Sequence, residues 1–260
     1  MELTYLGTAM LALDCDGTRL LTDPVLDPIG TTYNLGPAFV PRAWFATEKT
    51  YASPPLAPGR FDAVLLSHDH HADNLDGAGR ALIADASRVD RVLTTVPSAK
   101  RLAVQGRARG LAAGQTMRVG NVTVRAMPAL HGPRFVPQAD EVVGFLLDID
   151  HGPRIWISGD TVMFPALRAA MVEIAKERPV DVAVVHCGAV RFPKVPLLSR
   201  ARFTFDAAEA VEACKLVAAK RIVPIHRTGW THFQEAESVL FHAFEGMNVT
   251  RLEPGASLTL

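Results

Sequence analysis

Eight consecutive residues constrain the fold more than any other part of the chain. Ser67-His68-Asp69-His70-His71-Ala72-Asp73-Asn74 follows directly on Asp62-Ala63-Val64-Leu65-Leu66. The second of these runs reads as a short buried strand. Three imidazoles and two carboxylates at the mouth of a buried strand cannot be packed away dry, because an unpaired polar group in the interior is costly. The strand must therefore open into a cleft at a sheet edge, where α/β proteins place ligands. Imidazole and carboxylate are also the donors that a catalytic zinc uses when it keeps one position open. The competing reading, a solvated polar loop, gives no reason for this density of donors.

Around that cluster the chain alternates strands and helices. Short apolar runs at 3–6, 10–14 and 19–22 read as strands, with Asp16-Gly17 as a hairpin turn. A helix is expected over 74–86, a strand over 91–95 and a helix over 98–105. Strands follow at 121–127, 141–149 and 154–158, the last two forming a hairpin around Asp150-His151-Gly152-Pro153. Helices over 164–178, 205–220 and 235–245 alternate with strands over 181–185 and 221–225, and a terminal strand is expected near 250–252. Both halves share this character, which predicts two β layers covered by helices in one domain over 1–260. Residues 24–60 stand apart. Pro24, Pro28, Pro37, Pro41, Pro54, Pro55 and Pro58 oppose regular elements, and Trp44, Phe45 and Tyr51 lie among them. Such a segment reads either as a lid or substrate wall, or as an ordered loop whose aromatics pack down.

Three later positions match the needs of the cluster. His131 follows a strand in Met127-Pro128-Ala129-Leu130-His131-Gly132. Asp160 follows a strand and a turn-permitting glycine in Ile157-Ser158-Gly159-Asp160-Thr161. His226 ends a strand in Ile222-Val223-Pro224-Ile225-His226. Each has a structural alternative: a helix cap for Asp160, a loop histidine for His131, a core histidine for His226. His151-Gly152-Pro153-Arg154 repeats His131-Gly132-Pro133-Arg134 at an apparent hairpin tip, so the tetrapeptide alone marks nothing.

With those residues in place, the chain resembles the metallo-β-lactamase superfamily, in particular the bacterial branch related to the ascorbate-phosphate lactonases. The likeness rests on Leu3-Thr4-Tyr5-Leu6-Gly7 running on to Leu20-Leu21-Thr22-Asp23-Pro24, on the histidine cluster, on Ser158-Gly159-Asp160-Thr161 and on Pro224-Ile225-His226. It implies an α+β fold, the four-layer αββα sandwich. It also implies a divalent metal: one or two zinc ions, with manganese or iron as alternatives. The family pattern His-x-His-x-Asp-His is not met in register. A one-residue insertion reconciles it as His68, then His70 or His71, then Asp73, with Asn74 in place of the last histidine. The resemblance then implies that His68, His70 or His71, and His131 hold a first metal, that Asp160 bridges, and that Asp73 and His226 hold a second. Asp73 and His226 are the expected catalytic groups, and the chemistry is metal-assisted hydrolysis of a small lactone, ester, amide or phosphoester. A degenerate, non-catalytic binder and a phosphodiesterase or nuclease of the same fold are the alternatives.

The remaining residues set limits. Lys+Arg and Asp+Glu both count 27, and the lack of a basic surplus counts against a nucleic-acid partner. Arg191, Lys194, Arg200 and Arg202 form a local basic run, which reads as a solvated face or as a site for an anionic substrate. Cys15, Cys187 and Cys214 are too few and too scattered for a disulfide framework, which points to the cytoplasm. No membrane association is expected, and a homo-oligomer is compatible with the sequence. His186-Cys187 ends the strand over 181–185 at the same end of the sheet as the other candidate ligands, and reads either as a buried core pair or as a contact to substrate or to a ligand, while Thr228, Trp230, His232 and Phe233 are placed to line a pocket.

Overall fold

The computed structural model describes residues 1–36, 41–102 and 104–260. The chain opens as an antiparallel meander, β1 (Glu2–Gly7), β2 (Met10–Cys15) and β3 (Thr18–Thr22). The Pro-rich segment contains a small hairpin, β4 (Thr32–Asn34) with β5 (Ala46–Glu48), and a 3-10 turn at Arg42–Trp44. Then come β6 (Ala63–Leu65), α1 (Gly77–Ala84), β7 (Val92–Thr94), α2 (Val96–Arg101) and β8 (Ala108–Gly110). A second run comprises β9 (Thr116–Val119), β10 (Val122–Pro128), β11 (Val143–Ile149), β12 (Arg154–Ile157), α3 (Pro165–Glu177), β13 (Val182–His186), α4 (Ala207–Leu216), β14 (Arg221–Ile225) and α5 (Glu237–Ala243). The last element is β15 (Ser257–Thr259).

Two sheets result, in the orders β15-β1-β2-β3-β6-β7-β8 and β14-β13-β12-β11-β10-β9. In each sheet an antiparallel part passes into a parallel part, at β3–β6 and at β12–β13. Period-two alternation then divides the apolar residues into layers. Leu11, Leu13, Leu65, Phe145, Leu147, Val184 and Ile225 face the space between the sheets. Leu146, Trp156, Ala183 and Val185 face outward and are covered by Leu167, Met171 and Ile174 of α3 and by Ala210 and Ala213 of α4. Leu21, Val64 and Val92 are covered by Leu75 and by Ile83 of α1. This is the four-layer αββα sandwich.

Several expectations are corrected in detail. The first helix begins at Gly77 because Asp76 caps it, its carboxylate accepting from the Gly79 amide at 2.8 Å. The terminal strand is Ser257–Thr259, paired with β1, whereas Val249 makes only a single bridge to Ile222. Strands β8 and β9 carry too few alternating residues to announce themselves. The Pro-rich segment is partly regular and packed down: Phe45 is buried with Phe192 and Phe203. Residues 37–40 of that segment, and Ala103 of the helix expected over 98–105, lie outside the described residues.

Lys49 anchors the segment. It is fully buried, and its ammonium donates to the carbonyls of Val25 (3.2 Å) and Asp27 (2.6 Å) and to Ser53 Oγ (2.7 Å). Its cation also lies 4.7 Å from the Tyr51 ring centroid. Lys49→Ala strands those acceptors, so it is expected to lower unfolding free energy by about 1–3 kcal/mol in guanidinium titration. An unchanged midpoint would show that the segment is not held this way.

Candidate metal centre

Five strand ends converge on one place. The chain leaves β6 at Ser67-His68, β10 at His131, β12 at Asp160, β13 at His186 and β14 at His226. The sheets are tied together there. The Val143 amide donates to the Ser67 carbonyl (3.1 Å), and the His226 amide to the Thr8 carbonyl (2.8 Å). The Ser67 amide donates to the buried Asp23 carboxyl at 2.7 Å, and burial raises the Asp23 pKa well above the ordinary carboxylate range. Gly159 makes the turn into Asp160 with φ +62°, and a Cβ there would lie 2.7 Å from the Val143 carbonyl oxygen. His226 itself adopts φ +53°. A β-carbon residue held in that region costs of order 1–3 kcal/mol.

The first cluster is built of imidazoles. His71 Nδ1 lies 3.2 Å from His68 Nε2 and 2.9 Å from His131 Nε2. Donors sharing one zinc at bond lengths near 2.1 Å sit about 3 Å apart. His131 Nδ1 lies 2.6 Å from the Phe203 carbonyl, to which it donates, so Nε2 keeps its lone pair for the cluster. His68 Nδ1 is 3.0 Å from Ser67 Oγ, and Ser67 Oγ accepts from Asn74 Nδ2 at 3.3 Å. Asn74 thus stands behind His68. Burial drives the pKa of His68 and His71 well below the ordinary histidine value, and that of His70 to about 4. The three are neutral donors at pH 7.

The second cluster mixes carboxylates and imidazoles. His226 Nε2 is 3.3 Å from Asp73 Oδ2 and 3.5 Å from Asp160 Oδ2. His186 Nδ1 meets Asp160 Oδ1 at 2.7 Å, and the His186 ring stacks on His226 with centroids 5.1 Å apart. His232 Nε2 lies 3.1 Å from Asp73 Oδ2, with its Nδ1 2.6 Å from Thr47 Oγ1. Burial opposes ionisation of Asp73, but the imidazoles of His226 and His232 outweigh it and hold the carboxyl well below its usual range. Asp160 is likewise penalised by burial, and His226 and His186 bring it down to about 2. Burial lowers the His226 pKa, yet Asp160 and Asp73 reverse this and raise it.

The donor set fits a divalent cation. Asp73 Oδ1, Asp160 Oδ2, His186 Nε2, both ring nitrogens of His226, and His70 Nδ1 are buried with no hydrogen-bond partner among the described residues. Orphaned buried groups at this density demand a partner. Donor atoms of His68, His131 and Asp160, of His68, His70 and His71, and of Asp160, His186 and His226 fall within 4.8 Å of one another in each set.

The sequence-predicted residues His68, His70, His71, Asp73, His131, Asp160 and His226 all gather here. Asp69 and Asp76, which share the segment, do structural work instead. Asp69 accepts from Ser98 Oγ (2.7 Å) and pairs with Arg101 (2.6 Å). His186, which reads from sequence either as a core residue beside Cys187 or as a contact at the site, is buried and faces the site. Val182 and Val184 point between the sheets, and period two puts His186 on that same side.

A beta-lactamase superfamily domain model matches residues 18–227. A UPF0173 metal-dependent hydrolase of Methanosphaerula palustris is 28% identical over 209 residues, covering 76% of this chain and 84% of the relative. One of Carboxydothermus hydrogenoformans is 26% identical over 271 residues, covering both chains in full. Among solved structures, a possible metal-dependent hydrolase from Veillonella parvula superposes with TM-score 0.77 at 17% identity, covering 100% of this chain and 99% of the other. An isothiocyanate hydrolase from Delia radicum gut bacteria gives TM-score 0.77 at 19% identity with the same coverage. The chain belongs to the beta-lactamase superfamily. It is an enzyme of the hydrolase class that its relatives represent.

Arg101→Met removes the cation that neutralises the buried Asp69 two residues before His71. It is expected to destabilise the fold by about 1–3 kcal/mol in chemical denaturation. A loss below about 0.5 kcal/mol would mean that Ser98 alone satisfies Asp69.

Proposed function

We propose that the chain is a metal-dependent hydrolase whose ions are held by His68, His71 and His131 on one side and by Asp73 and His226 on the other, with Asp160 between. The carrying observation is that His71 Nδ1 lies 3.2 Å from His68 Nε2 and 2.9 Å from His131 Nε2, spacings like those of donors that share one zinc. It supports His71 over His70 as the second histidine and puts the inserted residue between His68 and His71. Zinc is the expected metal, with manganese or iron as alternatives. A divalent ion there supplies Lewis acidity and acidifies water.

The chain's own groups do the rest. Asp73, held ionised by its two imidazoles, is placed to orient an attacking water. His232, locked between Thr47 and Asp73, positions that carboxylate. His226 faces both carboxylates and restrains their charge. Most of the donors are fully buried, whereas His70 and His71 are partly exposed, so substrate approaches from their side. A cavity of about 390 Å³ adjoins His131 and is lined by Gly132, Pro133, Arg134, Val162 and Arg200 among others. Arg202 also reaches it but is paired with Asp206 and Glu209. Arg134 and Arg200 favour a small anionic substrate, a carboxylate-bearing lactone or ester or a phosphoester. The named activity of one structural neighbour adds isothiocyanates to the panel worth testing. Both halves of the chain contribute donors, which supports one catalytic domain over 1–260. The three cysteines are buried and unpaired, which supports a cytoplasmic setting. Among the described residues no helix is long and apolar enough to cross a membrane.

Asp160→Ala and His71→Ala are each expected to cut kcat/KM by more than about 100-fold, beyond what losing an outer partner of a ligand costs. His70→Ala should keep its metal content. Equal metal loss in the His70 and His71 variants would reverse their assignment. Arg200→Ala is expected to raise KM for anionic substrates about tenfold at low salt, with the gap closing as ionic strength rises. An effect equal for neutral substrates would remove the anion reading.

A further inference from the structure

The family pattern asks for a histidine where this chain has Asn74. The side chain at that position replaces the imidazole with an amide. Asn74 Nδ2 donates to Ser67 Oγ, and its Oδ1, buried with no partner among the described residues, offers an amide oxygen where the pattern has an imidazole. An amide is also a weaker zinc ligand than an imidazole. The second cluster therefore has one donor fewer than expected, unless another residue supplies it.

Two histidines lie within reach. His232 is already committed at both nitrogens, to Thr47 and to Asp73. His186 is not. It sits at the C-terminal end of β13, beside Ile225 of β14 and so one residue from His226. Its Nδ1 contacts Asp160 Oδ1 at 2.7 Å, while its Nε2 is buried with no partner among the described residues. Donor atoms of Asp160, His186 and His226 lie within 4.8 Å of one another. The Cys187 sulfur, next in sequence, is turned to the Ile225 carbonyl and takes no part.

We propose that His186 is a ligand of the second metal, replacing from strand β13 the imidazole that Asn74 removes from the histidine cluster. The inference rests on the metal reading above and extends it to a residue outside the family pattern. The same ion is then held by two carboxylates and two imidazoles from four different segments. Asn74, freed from coordination, serves as a hydrogen-bond donor behind His68.

The test is metal stoichiometry by elemental mass spectrometry on protein loaded with zinc and freed of excess by gel filtration. Wild type should hold about two zinc per chain, and His186→Ala and His186→Gln about one. The Gln variant keeps an amide that can donate to Asp160, so its loss of an ion separates ligation from mere positioning. Adding N74H to H186A should restore the second ion. Wild type holding two ions and both His186 variants also holding two overturns the inference while leaving the metal reading intact. Wild type with one ion overturns it as well. Wild type that takes up none defeats both. If the variants do not fold, zinc-loaded wild-type crystals decide by anomalous scattering. A peak about 2.0–2.1 Å from a His186 nitrogen supports ligation. A second ion with His186 out of bonding range excludes it.

Discussion

Asp73 and Asp160 are buried carboxylates within 3.5 Å of one imidazole, that of His226. Taking a carboxylate out of water costs several kcal/mol unless an opposite charge and hydrogen bonds replace the lost solvation. His232 and Thr47 brace Asp73, and His186 braces Asp160. The strained backbone at His226 and the glycine turn before Asp160 deliver these groups to one point. Asp73 Oδ1, Asp160 Oδ2 and the His226 ring nitrogens are left there without a hydrogen-bond partner among the described residues. The sheet ends, turns and loop anchors around it are arranged to hold the negative charge in place.

The two clusters divide the work by chemistry. Imidazoles fill the side lined by His68, His71 and His131, and burial keeps those of His68 and His71 unprotonated. Ionised carboxylates fill the side of Asp73 and Asp160. The asymmetry sets a mostly nitrogen donor cluster beside a mixed one. Ligand type and geometry are the means by which proteins distinguish metals. His70 and His71 are partly exposed, and the residues on either side of His131 line an arginine-bearing cavity.

Much of the centre was legible in the sequence because its donors cluster at strand ends. His68, Asp160 and His226 each follow an apolar run, and a polar ligand type after a buried strand has few structural uses. Other features were hidden for physical reasons. Asp69 and Asp76 look like ligands by type, yet a partner 32 residues away in one case and a helix start in the other claim them. β15 is three residues long and exists through its pairing with β1 at the other end of the chain.

The sequence by itself determined the alternation of strands and helices, the place where a polar cluster interrupts an apolar strand, and the chemical types of the donors. These depend on local periodicity and on what each side chain can bind. Tertiary structure alone decided which donors meet. His70 and His71 are adjacent in sequence and alike in chemistry, and only the position of His131, sixty residues on, distinguishes them. For His186 the sequence leaves a core place and a place at the site both open, and the packing of β13 against β12 and β14 turns it toward Asp160 and His226. Coordination requires several atoms around one point, and that arrangement is set by how the sheets pack.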